Sequence, residues 1–199
     1  MAEIQSNTAK KLYNIGFVSK GIYITTYGTK SRKSYSVWKD ILRRCYDEKT
    51  QEKFSAYKGC SISEEWYDFQ NFARWYENNH IEEFQIDKDI LIKWNKIYSS
   101  ETCCFVPQEI NSLFTKKSSK RGKYPIGVIK RNRKKPYEAN INKNGKCLYL
   151  GVYLTEEEAF QAYKEAKEKH IKEVADKWKD LINNKVYQAM YNYQVEITD

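Results

Sequence analysis

The chain reads as an α+β protein in two parts. Helices around short strands make up the N-terminal part, and a three-stranded antiparallel sheet packed on one long helix makes up the C-terminal part. Three observations predict this. Trp38, Ile41, Leu42 and Cys45 recur at i, i+3, i+4 and i+7, the apolar stripe of a helix. Tyr137, Ala139 and Ile141 alternate with Glu138, Asn140 and Asn142, the period of a strand with one buried face, and Asn144-Gly145 just beyond is a hairpin-turn pair. Thr155 with Glu158 forms a capping box that opens a long helix.

Composition narrows the class. Of 199 residues, 41% are hydrophobic and 15% aromatic, with only 8 Gly and 3 Pro, which excludes wholesale disorder. No run approaches the length of a membrane span, and MAEIQSNTAKK lacks the apolar centre of a signal peptide, so a cytoplasmic location is expected. The 5 cysteines, Cys45, Cys60, Cys103, Cys104 and Cys147, lack paired CxxC spacing and are expected to be reduced; a zinc site on Cys45, Cys60 and Cys103 lacks a histidine at ligand spacing. The net charge of +9 is concentrated from Thr115 to Leu150, where twelve basic residues face one acid, Glu138. A polyanion is the partner such a stretch predicts.

In chain order, residues 22 to 27 form a β-prone run before the basic turn GTKSRKS. A helix follows from Ser34. YKGCSI reads as a short strand, and Ser63 is the expected cap of a second helix carrying Trp66, Phe69, Phe72, Ala73 and Tyr76 on one face. Residues 84 to 114 then read as strand, loop, strand and helix: Phe84 to Asp89, a loop with Asn95 and Tyr98, Cys103 to Val106, and a helix opened by Pro107 and carrying Asn111. A unit of this size can bring an early carboxylate and a late amide to one divalent ion, and oxygen ligands suit Mg2+ or Mn2+.

The sequences IDKD, WNKIYSSETC and Asn111 resemble the HNH family of phage endonucleases, as do Tyr35 to Trp38, Arg44 to Tyr46 and Trp66 to Phe72. The resemblance implies an HNH-like ββα-metal unit with Asp87 and Asn111 as metal ligands and Asn95 orienting the site. It puts Lys88 where the family has its histidine base. An ordinary lysine is protonated near neutral pH and cannot take a proton from water, so Lys88 is assigned to charge stabilisation, and the base is a metal-bound hydroxide or His80.

Residues 115 to 123 read as a basic linker between a domain of residues 1 to 114 and one of residues 124 to 199. The second domain presents three strands, YPIGVIKR, YEANIN and KCLYLGVY, and a helix from about Glu156 to about Lys179. The helix is expected to cover the apolar face and leave the polar one free. Gly127-Val128, Tyr137, Ala139, Ile141, Gly145, Tyr149, Leu150-Gly151, Tyr153, Glu158-Ala159, Ala162-Tyr163 and Ala166 resemble the APETALA-type domain of plant ethylene-response factors. That resemblance implies a sheet that docks on double-stranded DNA. The contacts expected here are Lys130, Arg131, Arg133, Asn140, Asn142, Lys146 and Tyr149.

The sequence therefore predicts a phage or prophage DNA-binding protein, with metal-dependent phosphodiester hydrolysis by the first domain as a further expectation. Two alternatives stand beside it: a non-catalytic DNA-binding regulator on an HNH scaffold, and a phage inhibitor that binds a host defence protein.

Overall fold

Strand β1 (Thr26–Tyr27) and strand β2 (Lys30–Ser31) form a small antiparallel hairpin that leads into helix α1 (Lys33–Tyr46). Helix α1 buries Trp38, Ile41, Leu42 and Cys45, the stripe its periodicity predicts, and turns Arg43 towards its C-terminal end, where a cation complements the dipole. Helix α2 (Glu48–Lys53) is capped by Asp47, whose side chain accepts from the Thr50 N–H. Strand β3 (Ser61–Ile62) follows. Helix α3 (Phe69–Asn79) starts later than the sequence suggests. Ser63 opens only a 3-10 turn, Glu64–Tyr67, and makes no side-chain cap. Asp68 caps α3 instead, accepting from Gln70 N, and its carboxylate also takes the Ser19 hydroxyl and N–H.

The core of this part is aromatic. Trp38, Trp66, Phe69 and Phe72 are fully buried, Trp38 Nε1 donates to the Trp66 carbonyl at 2.8 Å, and Trp66 meets Phe72 edge to face at 5.0 Å. Strand β4 (Gln85–Asp87) pairs antiparallel with strand β6 (Cys104–Val106), and strand β5 (Ile97–Tyr98) between them in sequence pairs parallel with β3.

The computed structural model describes residues 11–114 and 123–197 and divides the chain into two compact units, Met1–Val106 and Pro107–Asp199. Helix α4 (Gln108–Phe114), which the sequence reading carries with the first domain, belongs to the second unit: Glu109 accepts from Lys177 Nζ at 2.5 Å and Trp178 Nε1 at 2.7 Å, and Phe114 packs on Tyr193. The expected linker lies outside the described residues apart from Lys123.

The second unit is a three-stranded antiparallel sheet in the order β7 (Val128–Lys130), β8 (Tyr137–Lys143), β9 (Lys146–Tyr153), with helix α5 (Glu156–Trp178) on one face and helix α6 (Asn184–Tyr191) after it. Asn144 and Gly145, both at positive φ, close the β8–β9 hairpin as their residue types demand. The capping box on α5 is complete: Thr155 accepts from Glu158 N, and the Glu158 carboxylate accepts from Thr155 N. Val128 and Ala139 are buried against Ala159. Strand β7 is shorter than YPIGVIKR because Gly127 sits at φ +79°, with the Tyr163 ring of α5 where a Cβ would project. Among the described residues no helix is long and apolar enough to cross a membrane.

Candidate nucleic-acid interface and the acidic loop

Register decides which side chains share the free face of the sheet. Antiparallel partners project to the same side and successive residues to opposite sides. Val128 pairs with Ala139 and faces α5, so the next pair, Ile129 and Glu138, faces away from it. Between Ala139 and Asn140 the register shifts by a bulge in β9, after which Asn140 pairs with Tyr149 and Asn142 with Cys147. The outer face therefore carries Ile129, Glu138, Asn140, Asn142, Cys147, Tyr149 and Val152. Tyr149 is 61% exposed, and Asn142 is exposed beside it.

Of the expected DNA contacts, this face unites Asn140, Asn142 and Tyr149. Arg131 and Arg133 join them from the β7–β8 turn through Glu138. Arg133 Nη2 donates to Glu138 Oε2 at 2.5 Å, Arg131 Nε stands 3.7 Å from the same oxygen, and Asn140 Nδ2 donates to Oε1 at 3.0 Å. These partners hold the Glu138 carboxyl below the usual range, the Asn140 hydrogen bond first and the Arg133 hydrogen bond next among the lowering causes. The same register places Lys130 and Lys146 on the other side. Lys130 pairs with Tyr137 and lies over its ring at 5.5 Å, and Lys146 pairs with Lys143, whose ammonium bonds Glu173 of α5. Glu138 was not among the residues singled out from sequence. Its signal there was its solitude, one acid within a run of twelve cations.

The acidic loop of the first unit is built on three side chains. Asp87 ends β4, and its Oδ1 accepts from the N–H groups of Asp89 at 2.7 Å and Ile90 at 2.8 Å. Burial raises its pKa, and those two N–H groups oppose the rise. Lys88, 6% exposed, turns inward: its ammonium donates to Asp89 Oδ1 at 2.7 Å and the Asn95 carbonyl at 2.9 Å, and lies over the Tyr98 ring. Asn95 clamps the loop, its amide N–H groups donating to the carbonyls of Lys88 and Ile97 while its Oδ1 accepts from Ile97 N. Trp94, before it, is held at φ +67° and is half exposed.

His80 is not brought to Asp87. Its ring stacks on Tyr76 at 4.5 Å and meets Phe105 edge to face at 5.3 Å. Phe105 pairs with Ile86, whereas Asp87 pairs with Cys104, so Phe105 and Asp87 project from opposite faces of the β4–β6 pair. Burial, with Lys33 adding to it, lowers the His80 pKa, and its Nε2 is buried without a hydrogen-bond partner. Asn111 lies on α4, in the second unit.

For a divalent cation, the loop offers the Asp87 carboxylate, with one oxygen engaged by backbone, and the half-exposed Asp89 carboxylate, whose Oδ1 is engaged by Lys88. Among the described residues no group of three or more His, Cys, Asp or Glu side chains gathers around a possible metal position. Burial pushes the Cys45 and Cys103 thiols up to about 12. Magnesium bound through so few carboxylates completes its shell with water and substrate phosphate oxygens. The donors of this loop alone do not cage an ion.

No family model, curated protein or solved structure matches the chain.

Proposed function

We propose that this chain is a double-stranded-DNA-binding protein whose C-terminal sheet docks its outer face in the major groove. One observation carries the reading: a single open face of a twisted sheet gathers Asn140, Asn142 and Tyr149 with Arg131 and Arg133 at its edge, while α5 covers the opposite face. Such a sheet has the shape that enters the major groove, where an Asn amide pairs with both N6 and N7 of adenine and an apolar surface meets the thymine methyl. Three cations of the β7–β8 turn, Arg131, Lys134 and Lys135, supply phosphate contacts that position the sheet without reading sequence. Fluorescence anisotropy of a labelled random-sequence duplex tests this: saturable binding that Asn142→Ala with Tyr149→Ala weakens is expected, and wild-type protein that leaves the anisotropy unchanged at low salt would sink the reading.

A second reading, metal-dependent phosphodiester cleavage at the acidic loop, is supported by the chain order β4, β5, β6, α4 and by the Asn95 clamp that fixes the loop beside Asp87. In this reading Asp87 would hold a magnesium or manganese ion at the acidic loop of the first unit. When bound, the ion supplies charge neutralisation at a DNA phosphate. Lys88 contributes the shape of the loop, because its ammonium is consumed inside it. Nicking of supercoiled plasmid with magnesium, present in wild type and absent in Asp87→Ala, is the expected result. Intact plasmid shifted equally by both proteins would leave the first unit as a scaffold.

A further inference from the structure

We infer that Glu138 is a positioning residue that fixes Arg133 and Asn140 for sequence discrimination on duplex DNA, an inference that rests on the DNA-binding reading above. Glu138 is the one acid between Thr115 and Leu150, and an anion facing DNA phosphates is electrostatically costly. An acid retained only for solubility would turn to water. This one has a side chain only 16% exposed, and both its oxygens are engaged. Oε2 takes Arg133 Nη2 and lies near Arg131 Nε, while Oε1 takes Asn140 Nδ2.

The bonds leave the two partners able to read. Asn140 Nδ2 has two N–H groups, of which Glu138 takes one. In the proposed arrangement Glu138 takes the N–H anti to Oδ1, and the syn N–H with Oδ1 is the pair that bidentate contact with adenine requires. Its attachment to Glu138 also settles which end of the amide is which, so the acceptor and the remaining donor are presented in one orientation. Arg133 donates Nε–H to the Lys135 carbonyl at 3.2 Å and one Nη2–H to Glu138, which pins the plane of the guanidinium and leaves Nη1 for a base edge or phosphate. Without the carboxylate both groups would have to be ordered on binding, and that ordering opposes affinity.

The two roles open to an acid here predict opposite things. As a mere like-charge neighbour of phosphate, Glu138 would lower affinity for every duplex by the same factor. As a positioning residue, it lowers non-specific affinity and raises the preference for a chosen sequence. The experiment uses the full chain. Wild-type protein selects from a random 30-bp duplex pool, and anisotropy then gives Kd for the selected duplex and a scrambled one, for wild type, Glu138→Ala, Glu138→Gln, Asn140→Ala and the Glu138→Ala/Asn140→Ala double variant.

The expected outcome is that Glu138→Ala binds the scrambled duplex more tightly by a few-fold while its selected-to-scrambled preference falls by about tenfold, the scale of one bidentate base contact. Glu138→Gln, which keeps an acceptor for Asn140, retains part of the preference. The double variant loses no more preference than the larger single loss, because the two residues act as one. Equal tightening on both duplexes, or additive losses in the double variant, overturns the proposal. A wild type that binds both duplexes alike also overturns it and leaves the DNA-binding reading standing, whereas a wild type that binds neither removes both. Misfolding would be recognised because it weakens scrambled-duplex binding, the reverse of the expected change.

Discussion

At the scale of single residues, Lys88 separates a catalytic from a structural reading of the acidic loop. Its ammonium is buried, bonds Asp89 and the Asn95 carbonyl, and lies over Tyr98. Replacing it with methionine keeps most of the volume but leaves that carbonyl without its donor, and hydrogen bonds involving a charged group contribute about 2 kcal/mol each. Lys88→Met is therefore expected to lower unfolding free energy by about 2 kcal/mol in urea titration. An unchanged midpoint would mean that the buried ammonium is not holding the loop. His170 carries a second residue-scale prediction. It is 5% exposed, its Nδ1 stands 3.7 Å from Glu173, and Lys143, Lys167 and Glu109 act on it or on Glu173 beside it. Burial, and then the two lysines, lower its pKa from 6.5. A depressed histidine binds fewer protons folded than unfolded, so its contribution is complete above the unfolded pKa and is lost as pH falls through the folded one. Protection factors of α5 amides, which remove the intrinsic pH dependence of exchange, should fall below about pH 6.5 in wild type, and this part of the slope should be missing in His170→Gln.

At the scale of elements, the β7–α5 junction depends on one residue without a side chain. Gly127 lies at φ +79°, and an added Cβ would stand 2.1 Å from Tyr163 Cδ2. The left-handed backbone and the overlap together predict a loss of about 3 kcal/mol for Gly127→Ala, visible as faster exchange in β7 and β8. Exchange at the wild-type rate would show that α5 can move aside. The same junction explains what was legible beforehand. Strands β8 and β9 and helix α5 could be read almost to the residue, because alternation, the Asn144-Gly145 turn and the Thr155–Glu158 box are local signals. Strand β7 was overextended because the approach of Tyr163 is tertiary. Helix α3 was started too early because its cap, Asp68, is held by Ser19, 49 residues away. The outer face was partly legible. Asn140 and Asn142 follow from simple alternation, but the sides taken by Lys130 and Lys146 required the strand pairing, and the bulge in β9 shifts Tyr149 opposite Asn140.

At the scale of the whole molecule, the net charge of +9 becomes informative only once its distribution over surfaces is known. Lys143 is committed to Glu173, and Lys130 and Lys146 share the α5 side of the sheet, whereas Arg131, Arg133, Lys134 and Lys135 are exposed in the turn at the edge of the outer face. Each phosphate neutralised releases counterions and adds about −0.9 to the slope of log affinity against log salt. With Arg133 bonded to Glu138, the remaining three, Arg131, Lys134 and Lys135, give a slope of about −2.7, or about a fortyfold loss of duplex affinity between about 50 and about 200 mM salt. The partition is testable cation by cation. Lys134→Ala should make the slope shallower by about 0.9, while Lys146→Ala should leave it unchanged, although both remove one positive charge from the same unit. Equal effects from the two substitutions would mean that DNA senses only total charge, and the outer face would lose its claim to be the docking surface. Unequal effects in the stated order would fix the sheet's orientation on the duplex, with the turn between β7 and β8 against the backbone and Asn140, Asn142 and Tyr149 towards the bases.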